Sequence, residues 1–213
     1  MAAQTIKKRA RFFVAVEGES EQSFLVWLQV LARKELHIHL DNVLLGGGGF
    51  KSMLEKARQQ HARRCKISGA YKDRFLIVGA DRAGQGDWSI DKLKQEAGKY
   101  QFTVCLQNPN HEGLLLRMIS GLEREIPEAA LTESKLKIHW PNYRKPMNAH
   151  ALDQAIFNPR PFAGRPRGRQ LGKFLEGDWP VGRVMGVVNG RRLEENAHYF
   201  CPFRIMETRL MIA

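Results

Sequence analysis

Two acidic residues stand out because each closes a short apolar run beside a glycine. Glu17 follows Arg11-Phe12-Phe13-Val14-Ala15-Val16 and precedes Gly18, and Asp81 follows Phe75-Leu76-Ile77-Val78-Gly79-Ala80. Short apolar runs without alternation read as strands covered on both faces, as in a parallel sheet. In such a sheet ligands and catalysis gather at the carboxyl ends of the strands. If the two strands are neighbours, both carboxylates face one crevice, and Gly18, Gly79 and Gly84 leave room for a phosphate to approach the backbone. Converging carboxylates suit a hard divalent cation with oxygen ligands, Mg²⁺ or Mn²⁺. Such an ion polarises a phosphoryl oxygen or activates a water. Taken singly, either acid also reads as an ordinary loop or helix-cap residue, and Glu19 and Glu21 sit where a helix N-terminus favours negative charge.

The elements needed to position this pair are legible around it. A strand over residues 11–16 leads to a helix ending near residue 34, in which Phe24, Leu25, Leu28, Leu31 and Ala32 share a face. A second strand over 39–45 ends in Gly46-Gly47-Gly48-Gly49, and a helix over 51–64 buries Met53, Leu54 and Ala57 beneath a basic face. The third strand, 75–78, runs into a glycine-rich loop through Gly86. A helix over 89–100, a strand over 102–106 and a helix over 111–120 follow, the last entered through Asn108-Pro109-Asn110. Strands and helices alternate at spacings too long for hairpins. The expected fold is therefore α/β, a mostly parallel central sheet with helices on both faces.

From Pro141 the pattern degrades. Pro159, Pro161, Pro166 and Pro180 interrupt a stretch that carries Arg160, Arg165, Arg167, Arg169, Arg183 and Arg191. The division expected is an α/β domain over 1–157 and an irregular, basic, Pro/Gly-rich extension over 158–213. That extension reads either as an arm that orders on nucleic acid or as a loosely packed tail without function.

The 213 residues suffice for one domain with a buried core. Lys and Arg number 34 against 22 Asp and Glu, a formal charge of +12 that attracts polyanions, nucleic acid foremost and acidic proteins or membranes otherwise. No apolar run approaches the roughly 20 residues that cross a bilayer. The basic N-terminus leads into a strand pattern rather than a signal peptide's apolar core, so a cytoplasmic protein is expected. Cys65, Cys105 and Cys201 are odd in number and widely spaced, which argues against a disulfide framework and a cysteine zinc site.

Other groups carry less. Gly46–Gly49 before Phe50-Lys51-Ser52 is not a Walker A loop, since Phe50 stands where its last glycine belongs. His61 and Cys65, one helical turn apart, lack a third metal ligand and read as a solvated histidine and a buried cysteine. His37 and His39 read as exposed edge residues. His111, at a helix start beside Glu112, is the one histidine placed to act as a base or phosphate contact, with capping the plainer alternative. Lys56, Arg58, Arg63, Arg64 and Lys66 form either a phosphate-contacting footprint or a solvated helix face.

Val14-Ala15-Val16-Glu17-Gly18-Glu19-Ser20-Glu21 resembles the Toprim signature, an apolar strand followed by Glu-Gly. Leu76-Ile77-Val78-Gly79-Ala80-Asp81-Arg82-Ala83-Gly84 stands where that family has its Asp-x-Asp strand end. Asn108-Pro109-Asn110-His111-Glu112 and Tyr143-x-Lys145 are most similar to the RloB-like, OLD-associated small Toprim group. The resemblance spans roughly residues 11–155 and does not reach the extension. The family's second aspartate is replaced by Ala83, which removes one metal ligand, and Asp87 and Glu112 are the acids placed to substitute. The resemblance implies a Toprim-like fold and a magnesium- or manganese-dependent nuclease hydrolysing phosphodiesters of DNA or RNA. Glu17 would be the general acid/base, with Glu17, Asp81 and Asp87 holding the metal and Glu21, His111 and Glu112 as accessory groups. Arg63, Arg64, Lys66, Arg165, Arg167 and Arg169 would contact nucleic acid, and a partner ATPase in phage defence is the implied setting. The alternative is a catalytically silent Toprim-fold module that binds nucleic acid or an ATPase, which Ala83 favours.

Overall fold

The computed structural model describes residues 10–35, 38–83, 86, 88–117, 122 and 127–151. Four strands form one sheet: β1 (Ala10–Val16), β2 (Ile38–Leu44), β3 (Asp73–Gly79) and β4 (Phe102–Gln107). Their order is β2-β1-β3-β4 and every pairing is parallel. From β1 the chain steps outward to β2, then returns across β1 to β3 and steps the other way to β4. The direction reverses between β1 and β3, and their carboxyl ends flank the switch-point crevice of an open α/β sheet.

Alternation along β1 sorts the core into two layers. Phe12, Val14 and Val16 pack with Phe24, Leu25 and Trp27 of α1 (Glu19–Glu35). The same layer takes Leu114 to Leu116 of α4 (His111–Arg117) and Leu136 of α5 (Thr132–His139). Phe13 and Ala15 point the other way, onto Phe50, Met53, Leu54 and Ala57 of α2 (Phe50–Ser68) and Leu93 and Ala97 of α3 (Ile90–Lys99). The inner strands β1 and β3 are buried on both faces, which is why they read as continuous apolar runs rather than alternating ones. Emptying either layer at a fully buried ring, Phe75→Ala for example, would cost about 3–5 kcal/mol.

Several details differ from the sequence expectation. α2 begins at Phe50, whose ring is buried, and runs past Arg64 to Ser68. It stops at Gly69, whose φ of 81° a residue with a side chain resists and whose N–H closes onto Cys65 O. α5 was not anticipated, because a short helix with few apolar residues leaves little periodic signal. His61 and Cys65 are both half-buried, neither the fully solvated histidine nor the buried cysteine expected. The histidine ring packs edge-on against Phe13, 5.2 Å away, and Phe102, 5.9 Å away, with Cys65 Sγ 3.3 Å from Nε2. His39 is half-buried on the edge strand. Leu28, Leu31, Ala32, His37 and the extension over 158–213, with Arg165, Arg167 and Arg169, lie outside what can be described.

Candidate active site

Glu17 is the first residue past β1, and the backbone clamps it from both sides. Its N–H donates to Ile77 O at 3.2 Å and its carbonyl accepts from Gly47 N at 3.1 Å. The side chain, 8% exposed, is held by the neighbouring strand end: Oε2 accepts from Gly79 N at 3.1 Å and Oε1 pairs with Arg82 Nε at 2.5 Å. Asp81 lies in a 3-10 turn, Ala80–Arg82, directly after β3, and its N–H donates to Pro109 O at 2.9 Å. Burial first, then the charge on Glu17, raises the Asp81 pKa above the ordinary carboxylate value. The two acids are therefore close enough to repel across the crevice between β1 and β3.

Two glycines are needed here for space. A Cβ on Gly79 would lie 2.3 Å from Asp81 Oδ1, and one on Gly18 would lie 2.8 Å from Glu21 Oε2. Each leaves room for a site carboxylate to fold back over the backbone.

Glu21 and Glu112 bring further charge from the first turns of α1 and α4. Burial pushes the Glu21 pKa up to about 7, with the charge on Glu112 adding to the shift. Burial would raise Glu112 likewise, but hydrogen bonds hold it below the usual range. Tyr143 Oη donates to Glu112 Oε1 at 2.6 Å, and Lys145 Nζ lies 3.0 Å from the same oxygen. Tyr143 and Lys145 thus converge on one acid, and the segment carrying them is tied back to α1 by Met147 N donating to Ser20 Oγ at 3.0 Å. His111 is 3% exposed, and burial lowers its pKa to about 4, so the ring is neutral at ordinary pH. Gln107 Nε2 lies 2.9 Å from His111 Nδ1, while His111 Nε2 and Gln107 Oε1 have no hydrogen-bond partner among the described residues.

Glu17, Glu21, Asp81, His111 and Glu112 therefore line one cleft of about 440 Å³, together with Arg82, Asn110 and Lys145. Among the described residues, Arg63, Arg64 and Lys66 do not join them. Asp87 lies outside the described residues. Ala83 is exposed and does not line the cleft. α2 starts beside the glycine loop at the carboxyl edge of the sheet and ends where Arg11, at the start of β1, donates to Ser68 O. Arg63, Arg64 and Lys66 thus lie toward the far edge from the cleft. Arg63 and Lys66 are exposed, whereas Arg64 Nη1 is committed to Asp41 Oδ1 at 2.5 Å.

Arg82 escaped the sequence reading, since an arginine beside an aspartate carries no spacing signal, and Lys145 entered it only through the family resemblance. Among the described residues, no group of three or more His, Cys, Asp or Glu side chains is disposed to hold a metal ion. No helix among them is long and apolar enough to cross a membrane. Compared with known proteins, the chain matches no family model, no curated protein and no solved structure.

Proposed function

We propose that the cleft is the active site of a Toprim-like, magnesium- or manganese-dependent nuclease that hydrolyses phosphodiesters of DNA or RNA. The observation that carries this reading is the pairing of Glu17 and Asp81 at the switch point, near enough for one charge to disturb the other. The donors fit a hard cation in kind, being carboxylate oxygens, and in charge, since burial leaves Asp81 and Glu21 short of compensation. Glu17 and Asp81 would hold it, and the bound ion would supply Lewis-acid polarisation of a phosphoryl oxygen and activation of water. The chain's own groups account for the remainder. Arg82 and Lys145 offer positive charge to a phosphate that must approach acids. Glu17 would be the general acid/base, as the family resemblance implies, with Asp81 kept for the metal. A partner ATPase and a role in phage defence belong to the same proposal and rest on the family resemblance alone.

A second reading is favoured by the grip of Arg82 on Glu17 and by Ala83. A carboxylate already neutralised by arginine, beside a missing ligand, fits a silent Toprim-fold module that binds nucleic acid or an ATPase. Cleavage of single- and double-stranded DNA and RNA in Mg²⁺ and in Mn²⁺ separates the two. The nuclease reading expects metal-dependent products that vanish in Glu17→Gln and Asp81→Asn, both of which still bind substrate. Equal cleavage by wild type and Glu17→Gln, or none by either, leaves the silent module.

A further inference from the structure

A second hollow, of about 390 Å³, lies away from the acidic cleft, between α2 and the starts of β3 and β4. That size suits one nucleotide-sized group. Arg58 of α2 and Arg74 of β3 both face it, with Phe102 and His61 forming part of its wall. The Arg58 guanidinium lies 3.5 Å from the centroid of the Tyr100 ring. Arg74 is fixed from its other end, Nη1 donating to Tyr100 O at 2.8 Å and Nη2 to Gln101 Oε1 at 3.1 Å. Both guanidiniums are thus preset beside Tyr100, Arg58 on its ring and Arg74 on its carbonyl. Among the described residues Glu55 is the one acid in the lining. Arg58 and Arg74 outweigh Glu55 there, with Arg63 and Lys66 exposed on the same helix, so the field over the hollow is positive.

We propose that this hollow is a binding subsite for single-stranded nucleic acid, in which an unpaired base stacks on the exposed face of the Tyr100-backed Arg58 guanidinium while Arg74 takes a neighbouring phosphate. Bases stack on arginine planes as they do on aromatic rings, and a duplex, whose bases are already stacked, cannot use such a platform. Arginine suits the place because it is flat and weakly hydrated, and lysine is neither. The inference rests on the nucleic-acid reading above but adds a strand preference and a location. Arg74 is five residues before Gly79 in a parallel strand, so the hollow lies about 17 Å along the sheet from the cleft. A bound strand would be gripped there independently of the chemistry at Glu17.

The test is fluorescence anisotropy with a labelled single-stranded oligonucleotide of about 16 nucleotides and with its duplex, on the full chain. Wild type should prefer the single strand. Arg58→Ala and Tyr100→Ala should each weaken it about tenfold, Arg58→Lys should recover little of that loss, and Tyr100→Phe should bind as wild type. Duplex affinity should barely change in any variant. Circular dichroism confirms folding, which these substitutions at exposed positions leave intact. Wild-type affinity in Arg58→Ala, or full recovery in Arg58→Lys, overturns the stacking subsite while leaving the nucleic-acid reading standing. Failure of wild type to bind either form overturns both.

Discussion

Arg82 Nε lies 2.5 Å from Glu17 Oε1, while the other oxygen of the same carboxylate accepts from Gly79 N. Both contacts come from the segment that carries Asp81. The end of β3 therefore orients the acid at the end of β1 as well as supplying its own, and the two cannot move apart without breaking an ion pair and a buried hydrogen bond. The ion pair also competes with any metal for Glu17.

That competition is measurable. Arg82→Ala should tighten Mn²⁺ binding, read by titration calorimetry or loss of the free-ion paramagnetic signal, by roughly fivefold. Releasing a partly exposed ion pair is worth on the order of 1 kcal/mol. The same variant should cleave more slowly, because a cation is lost from the phosphate's path. Unchanged Mn²⁺ affinity would mean that Arg82 and the metal do not share Glu17.

Gly79→Ala tests the geometry without removing a charge. The added methyl falls 2.3 Å from Asp81 Oδ1 and 3.4 Å from Pro109 O, so the carboxylate must swing away. The expected outcome is loss of metal-dependent cleavage comparable to Asp81→Asn, with a melting temperature within a few degrees of wild type. A fully active Gly79→Ala would remove Asp81 from the chemistry.

The sheet and the acidic pair were legible because two-sided burial writes continuous apolar runs, and Glu17 and Asp81 end two of them. Parallel order followed from the spacing, but the placement of β3 beside β1 needed the structure. The supporting shell was not legible for a different reason. Arg82, Asn110 and Lys145 reach the cleft from three separate segments, and nothing in local periodicity marks a side chain whose partner is far away in sequence. The basic stretch on α2 was visible as composition, yet composition cannot show that Arg64 is spent on Asp41 or that Arg58 lies on Tyr100.

Tyr143→Phe should be costly for a single oxygen. The hydroxyl donates at 2.6 Å to the buried Glu112, and its loss leaves that oxygen to Lys145 Nζ, 3.0 Å away. Hydrogen bonds to buried charges contribute about 1.5–3 kcal/mol, so urea unfolding should show a loss near 2 kcal/mol. Glu112→Gln with Tyr143→Phe should cost less than the sum of the singles, since each removes the same contact. Strict additivity would mean that the hydroxyl and the carboxylate do not act as a pair.

Glu21 gives stability a pH dependence of defined sign. Its pKa rises on folding from the ordinary 4.5 to about 7, chiefly through burial. Between those values the folded chain holds a proton that the unfolded chain has released, so stability falls as pH rises through that window and levels off above it. The full penalty is on the order of 3 kcal/mol. Glutamine cannot ionise, so the stability of Glu21→Gln relative to wild type should climb from about pH 5 to pH 8 and then plateau. Glu112, which lies below the usual carboxylate range, titrates beneath the window, and Lys145, raised by Glu112, titrates above it. His111, lowered by burial from 6.5 to about 4, acts inside the window with the opposite sign, but it is present in both proteins and largely cancels in the difference. Asp81 is also raised, but it is present in both proteins and largely cancels in the difference. Urea unfolding of the two proteins at matched pH is the measurement, and a difference that stays flat across the range would mean that Glu21 is ionised in the folded chain throughout.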